Sequence, residues 1–524
     1  MKHLFSKALT IDYPRFKVPG TNGYRILPPI VFEGSASYGP SVLQANSRHL
    51  ECMQDATDAT KVALAEGYRV FINGGAGFCD SIMHLQAAPS IGNFAINITN
   101  TTPHIAKAEG ALSGIDQMLV ASDHMFSLRK AVFGISGVEY SNRGGSGTVD
   151  EFMDTILRMV YGEMSLDKPL AFNNRHGFYN AMFDQLRLSE KYGYVPRGFV
   201  DRLIVGDNPR DLILATKDHL LSLNDREFYD ATHYRPRYRK KDMAIEFQGP
   251  YTPFRRNWRN DTMGAPVIAL VTGRSVDEHQ DKRRVRHDLI NKIDVAAIIR
   301  GIKASAPNAV ILFINEESRL AKRIHTEAQA NDMATLGISA ADHTGRIMYG
   351  TGTTKVAENS SLINSTIIDL ADVIVPMDLS LRAQSIFWQS LVYAVIREPE
   401  FKYKEIMPLN KNGIYGHTEE MISNMIKCGV IHPDVRKWYY QVEDESALTE
   451  NIASMLRCEG KRFDIQDYPP PPKEKVTHVE LPPGERVLTL TPEVVRKTTW
   501  LIQPPRDGDV HRHVKGMRSL VFAR

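Results

Sequence analysis

Nine residues, Arg143-Gly144-Gly145-Ser146-Gly147-Thr148-Val149-Asp150-Glu151, combine glycine, hydroxyl and carboxylate groups at a spacing suited to holding an anion. Three glycines in four positions open backbone conformations closed to other residues. They also bring bare amide N–H groups to the start of a helix, where those groups and the positive end of the helix dipole point the same way. Phosphate is the guest such a turn suits. The same residues allow a structural alternative: Thr148 followed three residues later by Glu151 is a capping box, in which each side chain closes an orphan N–H.

Either role needs a strand before the turn and a helix after it. Gly137-Val138-Glu139-Tyr140-Ser141-Asn142 reads as a short buried strand, and Phe152, Met153, Ile156, Leu157 and Val160 recur at the spacing of an amphipathic helix. Farther upstream, Pro29 to Ser37 reads as a first core strand running into a small-residue turn, where a doubly wound sheet places its ligands. A helical pattern follows to Glu66. Tyr68 to Ile72 is a second strand, ending in Asn73-Gly74-Gly75-Ala76-Gly77. That turn lacks the G-x-G-x-x-G spacing, with Asp80 where the third glycine would fall, so a dinucleotide site is not supported.

Asp123-His124-Met125-Phe126-Ser127-Leu128-Arg129-Lys130, the strand after it and the glycine turn together resemble the paired signature of the LONELY GUY (LOG) family. That signature is an Arg-Lys pair on a helix followed by Pro-Gly-Gly-x-Gly-Thr-x-x-Glu. Arg143 stands here in place of the proline. The Gly74 turn is similar to the family's other glycine-rich turn, from which Phe78, Cys79 and Asp80 depart. Ala171-Phe172-Asn173-Asn174-Arg175-His176-Gly177-Phe178-Tyr179 resembles its strand and Asn-x-x-Gly turn, with Gly193-Tyr194-Val195 beyond. The likeness covers about residues 29 to 218.

The resemblance implies a phosphoribohydrolase that cuts the N-glycosidic bond of nucleoside 5′-monophosphates. Such a reaction stabilises a sugar that becomes cation-like as the base departs, fixes the phosphate and places a water below the anomeric carbon. On that basis Glu151, taken to lie in the first helical turn, steadies the developing charge or orients the water. Arg129 grips phosphate or ribose hydroxyls with its planar fork and Lys130 adds a point charge. Gly144, Gly145, Ser146, Gly147 and Thr148 receive the phosphate, while Ser35, Gly74 and Gly75 line the same crevice. His124, a lone histidine near a helix start, is weighed as structural. No metal and no cofactor is called for. The family's older lysine decarboxylase label is set aside, because that reaction needs a pyridoxal phosphate lysine and partners for its ring, and nothing marks one.

A chain of 524 residues is too long for one ordinary core. Charged residues make up 24% and the formal charge is +3, a near balance that gives no sign of a nucleic-acid binder. Cys52, Cys79, Cys428 and Cys458 form no C-x-x-C pair and have no histidine at ligand spacing, which argues against zinc and suits a reducing cytosol. The start has no apolar run of signal-peptide length and no stretch approaches the roughly 20 apolar residues of a membrane helix. A soluble, cytoplasmic protein is expected, with no membrane partner.

The fold expected is α/β, with two tandem Rossmann-like doubly wound parallel sheets. Residues 1–28 form an irregular N-terminal arm, 29–218 the LOG-like catalytic domain, 219–264 a basic and aromatic connector, 265–460 a degenerate LOG-like domain and 461–524 a proline-rich tail. The tandem expectation rests on Leu409-Asn410-Lys411-Asn412-Gly413-Ile414-Tyr415, which mirrors the Asn173 to Tyr179 turn; Gly177 and Gly413, like Gly193 and Gly429, are 236 residues apart. The second half lacks the Arg-Lys pair near Ser361-Leu362-Ile363-Asn364 and has Met377-Asp378-Leu379-Ser380-Leu381 in place of the glycine loop. Gly350-Thr351-Gly352-Thr353-Thr354-Lys355 does not fit a phosphate loop and reads as a turn with a helix cap.

Because the family forms homodimers, an intrachain pseudo-dimer with one working site is expected, together with a homo-oligomer as an option. In the connector, Arg235, Arg237, Arg239, Lys240, Lys241, Arg255, Arg256 and Arg259 alternate with Tyr234, Tyr238, Tyr251, Phe254 and Trp258. Such a run can join domains, grip a nucleotide effector or hold single-stranded nucleic acid, the last the least favoured. In the tail, Val487-Leu488-Thr489-Leu490 suits an edge strand. Two alternatives to the hydrolase stay open: a nucleotide sensor that binds without cleaving, and a nucleic-acid-associated protein acting through the connector.

Overall fold

Short apolar runs separated by helical stretches pair in parallel, because each helix carries the chain back to the edge where the previous strand began. The computed structural model describes residues 15–34, 47–68, 70–73, 95–100, 118–121, 136–232, 265–275, 292–316, 318–340, 354–357, 360–395, 404–458 and 487–490. Within them the chain is α/β, with two parallel sheets flanked by helices.

The N-terminal arm departs from the irregular segment expected. β1 (Arg15–Lys17) and β2 (Tyr24–Ile26) pair antiparallel. Gly20, at φ +73°, lies in the turn between them. The hairpin is held by Arg25, whose guanidinium donates to the Leu220 carbonyl at 2.8 Å and to Asp225 Oδ1 at 3.0 Å.

The first sheet takes β3 (Ile30–Glu33), β4 (Val70–Asn73), β5 (Ala95–Asn100), β6 (Met118–Ala121), β7 (Val138–Ser141), β8 (Leu170–Asn173) and β9 (Ile204–Gly206). Its helices are α1 (Ser47–Ala65), α2 (Ser146–Val160), α3 (Asn180–Lys191), α4 (Pro209–Ser222) and α5 (Asp225–Thr232). The second sheet takes β10 (Val267–Val271), β11 (Val310–Ile314), β12 (Ala334–Ala340), β13 (Thr354–Ala357), β14 (Val373–Pro376) and β15 (Glu405–Ile406). With it go α6 (Val295–Ser305), α7 (Arg319–Ala330), α8 (Ser360–Leu370), α9 (Leu381–Val395), α10 (Gly416–Lys427) and α11 (Glu445–Cys458). β16 (Val487–Leu490), from the tail, pairs in parallel with β6 and forms the edge strand its sequence suggested.

The strand order is β16-β6-β5-β4-β3-β7-β8-β9 in one sheet and β13-β12-β11-β10-β14-β15 in the other. Six consecutive strands therefore follow the same winding in each half, and in each the direction of winding reverses beside the first strand. Local details recur too. Tyr179 donates its hydroxyl to the Asn142 carbonyl and Tyr415 to the Asp378 carbonyl, donors and acceptors both 236 residues apart. Tyr179 N–H donates to Asn174 Oδ1 and Tyr415 N–H to Asn410 Oδ1, each at 2.7 Å. His176 and Asn412 both sit at φ +59°, a left-handed turn position.

α2 reads as amphipathic, yet its polar side is covered as well: Asp150, Asp154 and Arg158 are buried with the apolar residues. The cause is α9, which packs against α2 so that Phe152, Ile156 and Leu157 share one core with Ile386, Phe387 and Leu391 of the other half. Asp154 and Arg158 offset their own burial by pairing at 2.8 Å.

Three further expectations meet the structure here. Thr354 and Lys355 belong to strand β13, paired with β12, and not to a helix cap. Residues 219–232 of the connector continue α4 and form α5, while the cationic and aromatic run 234–259 lies outside the described residues, as does Gly350 to Thr353. Among the described residues no helix is long and apolar enough to cross a membrane.

Candidate functional site

β7 delivers the chain to Asn142-Arg143-Gly144-Gly145, and α2 begins at Ser146. Gly145 is the N-cap, in an extended conformation, and no side chain caps the helix. The capping box is thus absent. The helix starts two residues before Thr148, which places Thr148 inside the first turn and Glu151 in the second, one turn later than the sequence suggested. Thr148 packs back on the loop instead: a Cβ on Gly144 would lie 2.1 Å from Thr148 Oγ1, so the close approach requires glycine. Gly147 differs, since a Cβ there would meet nothing within 4 Å among the described residues, and it is half-buried among buried neighbours. Among the described residues, the open space beside the uncapped helix start is thus at Gly147.

Helical side chains lean toward the N-terminus of their own helix, so Glu151 projects over the turn containing Gly147 and Thr148. It is 5% exposed. Behind it, on the sheet, lie two more buried acids, Glu33 at the end of β3 and Glu139 within β7. Burial first, then the charges of Glu139 and Glu151, hold the Glu33 carboxyl well above the usual carboxylate range, while the Ser141 hydroxyl, donating at 3.0 Å, works the other way. Lys168 Nζ stands 3.6 Å from Glu139 Oε2.

Arg143 is not a free cation at the loop mouth. Its side chain is fully buried and points to α1, donating to Glu51 Oε2 at 2.9 Å and Asp55 Oδ2 at 2.7 Å. Arg175 reaches the same two acids from the turn after β8, at 3.0 Å and 2.8 Å. Asn173 Nδ2 donates to both Asp55 Oδ2 and Asn142 Oδ1, and Asn142 Nδ2 donates to the Cys52 carbonyl at 2.7 Å. This network ties α1, the glycine loop and the β8 turn into one unit. Burial raises the Glu51 carboxyl, but the hydrogen bond and charge of Arg143, with His176 and Arg175, outweigh it and hold Glu51 below its ordinary value.

Of the residues singled out from sequence, Gly144, Gly145, Ser146, Gly147, Thr148 and Glu151 are brought together at the start of α2. Ser35, Gly74, Gly75, His124, Arg129 and Lys130 lie outside the described residues. Sequence inspection did not single out Glu33, Glu139, Glu51 or Asp55. For Glu33 and Glu139 a signal existed, an acid inside an apolar strand; for Glu51 and Asp55, acids one turn apart on an ordinary helix surface, there was none. None of the described His, Cys, Asp and Glu residues form a group that could hold a metal ion.

In the second half, the segment aligned with the glycine loop runs Met377 to Leu381 and is closed by its own side chains. Asp378, buried, accepts from the Thr272 hydroxyl and from Tyr194 Oη of the first half at 3.2 Å. Arg382, at the start of α9 and fully buried, donates to Asn364 Oδ1 at 3.1 Å and Glu316 Oε1 at 3.2 Å.

Comparison with known proteins gives one family. The model described as "Possible lysine decarboxylase" matches residues 100–215, a narrower span than the motifs suggested. No curated protein matches the chain. Among solved structures, HepE of Anabaena, in complex with UDP and glucose, aligns over 82% of this chain and 99% of its own at 9% identity and a TM-score of 0.20, a value that supports no argument about the site.

Proposed function

Taking residues 100–215 as belonging to the LONELY GUY family, once described as lysine decarboxylases, we propose that the first half hydrolyses the N-glycosidic bond of nucleoside 5′-monophosphates, releasing free base and ribose 5-phosphate. The observation that carries the proposal is the uncapped start of α2 with a buried carboxylate, Glu151, one turn above it. A phosphate accepts from the amides of Ser146, Gly147 and Thr148 and is favoured by the helix dipole. Glu151, held where water is scarce, stabilises the cationic character that the sugar acquires as the base leaves. Arg129 and Lys130 supply cations to phosphate and ribose, and Ser35, Gly74 and Gly75 complete the crevice.

The second half serves as the fused counterpart of a partner subunit. Supporting this are the shared winding of the two sheets, the packing of α9 on α2 and the Met377 to Leu381 segment, whose Asp378 is occupied by Ser380, Thr272 and Tyr194. One working site per chain follows, in a soluble protein acting in the cytoplasm.

The test is a panel of AMP, CMP, GMP and UMP given to the wild type and Glu151→Gln, with free base and ribose 5-phosphate as readouts. The variant is expected to bind monophosphate yet release base at least about tenfold more slowly, a barrier increase of about 1.4 kcal/mol or more. Binding by the wild type with no base released would replace the hydrolase with a nucleotide sensor. Retention on single-stranded DNA that is abolished by neutralising Arg235 to Lys241 would instead favour the nucleic-acid alternative.

A further inference from the structure

Three buried carboxyl groups, those of Glu33, Glu139 and Glu151, are carried by β3, β7 and α2, the elements around the glycine loop. Parallel pairing sets Glu33 of β3 beside Ser141 of β7, and Val31 beside Glu139. Side chains two residues apart on a strand share a face, so Glu33, Ser141 and Glu139 stand together on one side of the sheet. Ser141 Oγ donates to Glu33 Oε2 at 3.0 Å, while Glu33 Oε1 and both oxygens of Glu139 are buried with no hydrogen-bond partner among the described residues. Two carboxyl groups can bond each other only with a proton on one of them. Glu151 is buried in the second turn of α2, the helix that follows β7.

The surrounding groups decide where the proton sits. From the segment before β8, Lys168 Nζ lies 3.6 Å from Glu139, the more distant acid, and favours Glu139 as the anion. From the β8 turn, Tyr179 faces Glu33 and offers no positive charge. Arg158 on α2, which acts on Lys168, is paired with Asp154. Glu33 itself is fully buried. Two buried anions on neighbouring strands, Glu33 and Glu139, beside the Lys168 ammonium would each carry a desolvation cost of several kcal/mol, and a buried acid in that position takes up a proton instead.

We propose that Glu33 is carried as a neutral carboxylic acid donating to the Glu139 carboxylate, and that its proton leaves Glu151 as the ionised acid facing the loop. Glu33 is then a positioning residue: it keeps a second negative charge away from Glu151 while filling the space and polar contacts of a carboxyl. The protonation of Glu33 stands on the cluster alone; its consequence for Glu151 rests on the hydrolase reading.

The sign of the pH dependence follows. A carboxyl whose folded value lies above its unfolded one contributes stability that is fully present below the unfolded value and is lost as pH rises through the folded value. Thermal unfolding of the full chain, wild type against Glu33→Gln, is measured from about pH 5 to about pH 9. The wild type is expected to lose midpoint temperature relative to the variant as pH rises, with the slope of one proton. Parallel curves would overturn the proposal. Should Glu33→Gln fail to fold, Glu139→Gln, which removes the other member of the pair, is measured the same way, with the same divergence expected and parallel curves again refuting it.

The second readout is the acid limb of kcat/KM for base release, which reports the ionisation of Glu151. Its position is expected to coincide in wild type and Glu33→Gln, because a neutral acid and a neutral amide perturb Glu151 alike. A shift of the limb to lower pH in the variant would mean that Glu33 is already ionised in the wild type, and would refute the idea. If no base is released from any nucleotide, the hydrolase reading fails by itself, and the unfolding series still decides the protonation of Glu33.

Discussion

Replacing Arg143 by methionine tests whether this cation belongs to the fold or to the ligand. Its guanidinium has no exposed surface and makes two charged hydrogen bonds, of 2.9 Å to Glu51 and 2.7 Å to Asp55. Methionine preserves most of the volume, so cavity formation is minor and the loss is electrostatic. Removing one member of a buried ion pair costs about 3–5 kcal/mol, because the other charge stays buried. Here Asp55 keeps Arg175 at 2.8 Å and the Asn173 amide at 2.9 Å, which places the expected loss near the lower end, about 3 kcal/mol. Urea denaturation of the full-length wild type, Arg143→Met, Asp55→Asn and the double variant measures it. The two changes are expected to be non-additive by about 1 kcal/mol or more, as for groups in direct contact. The acid side adds a check: Glu51, held low by Arg143, contributes stability above its unfolded value that is lost as pH falls through the folded one. The gap between wild type and Arg143→Met should therefore narrow in acid. A variant within about 0.5 kcal/mol of wild type, the range of an ordinary surface substitution, would refute the assignment.

Two glycines of the loop should separate stability from binding. Gly144→Ala forces Thr148 to move and is expected to cost about 1–3 kcal/mol in denaturant unfolding. Gly147→Ala meets no atom of the described residues and should leave the fold intact or stabilise α2 by up to about 1 kcal/mol. The methyl stands in the opening, however, and should weaken monophosphate binding about tenfold or more by calorimetry, roughly 1.4 kcal/mol. Unchanged affinity would move the phosphate away from the start of α2. A fragment of residues 15–232, deprived of α9, exposes the face of α2 that the second half covers. It should self-associate in size-exclusion chromatography or lose base release, and a fully active monomer would rule out the fused-partner arrangement.

Much of the architecture was legible in the chain because local rules reach it. The strand, glycine turn and helix at 137–160, the strands around Ile30 and Val70, and the edge strand at Val487 all follow from period and punctuation. So did the repeated turns at Asn174 and Asn410, whose side-chain-to-backbone bonds are local. The capping box failed for a local reason too, since the glycine pair let α2 start earlier than its apolar pattern indicated. The fate of Arg143 was beyond any local rule. In the chain it is an extra cation standing where the resembled signature has proline, and only the approach of α1, some 90 residues earlier, supplies the acids that hold it.

The sequence by itself determined where the main strands and helices form, that the two halves share a plan, and that a glycine-rich helix start exists in the first. Those properties depend on backbone preference and side-chain period over a few residues. Tertiary structure alone decided that α2 is buried on every side, that Arg143 turns away from the loop, and that Glu33, Glu139 and Glu151 are all buried. Burial and charge pairing depend on which distant segments arrive at the same place, and that information is carried by the packed chain rather than by any window of it.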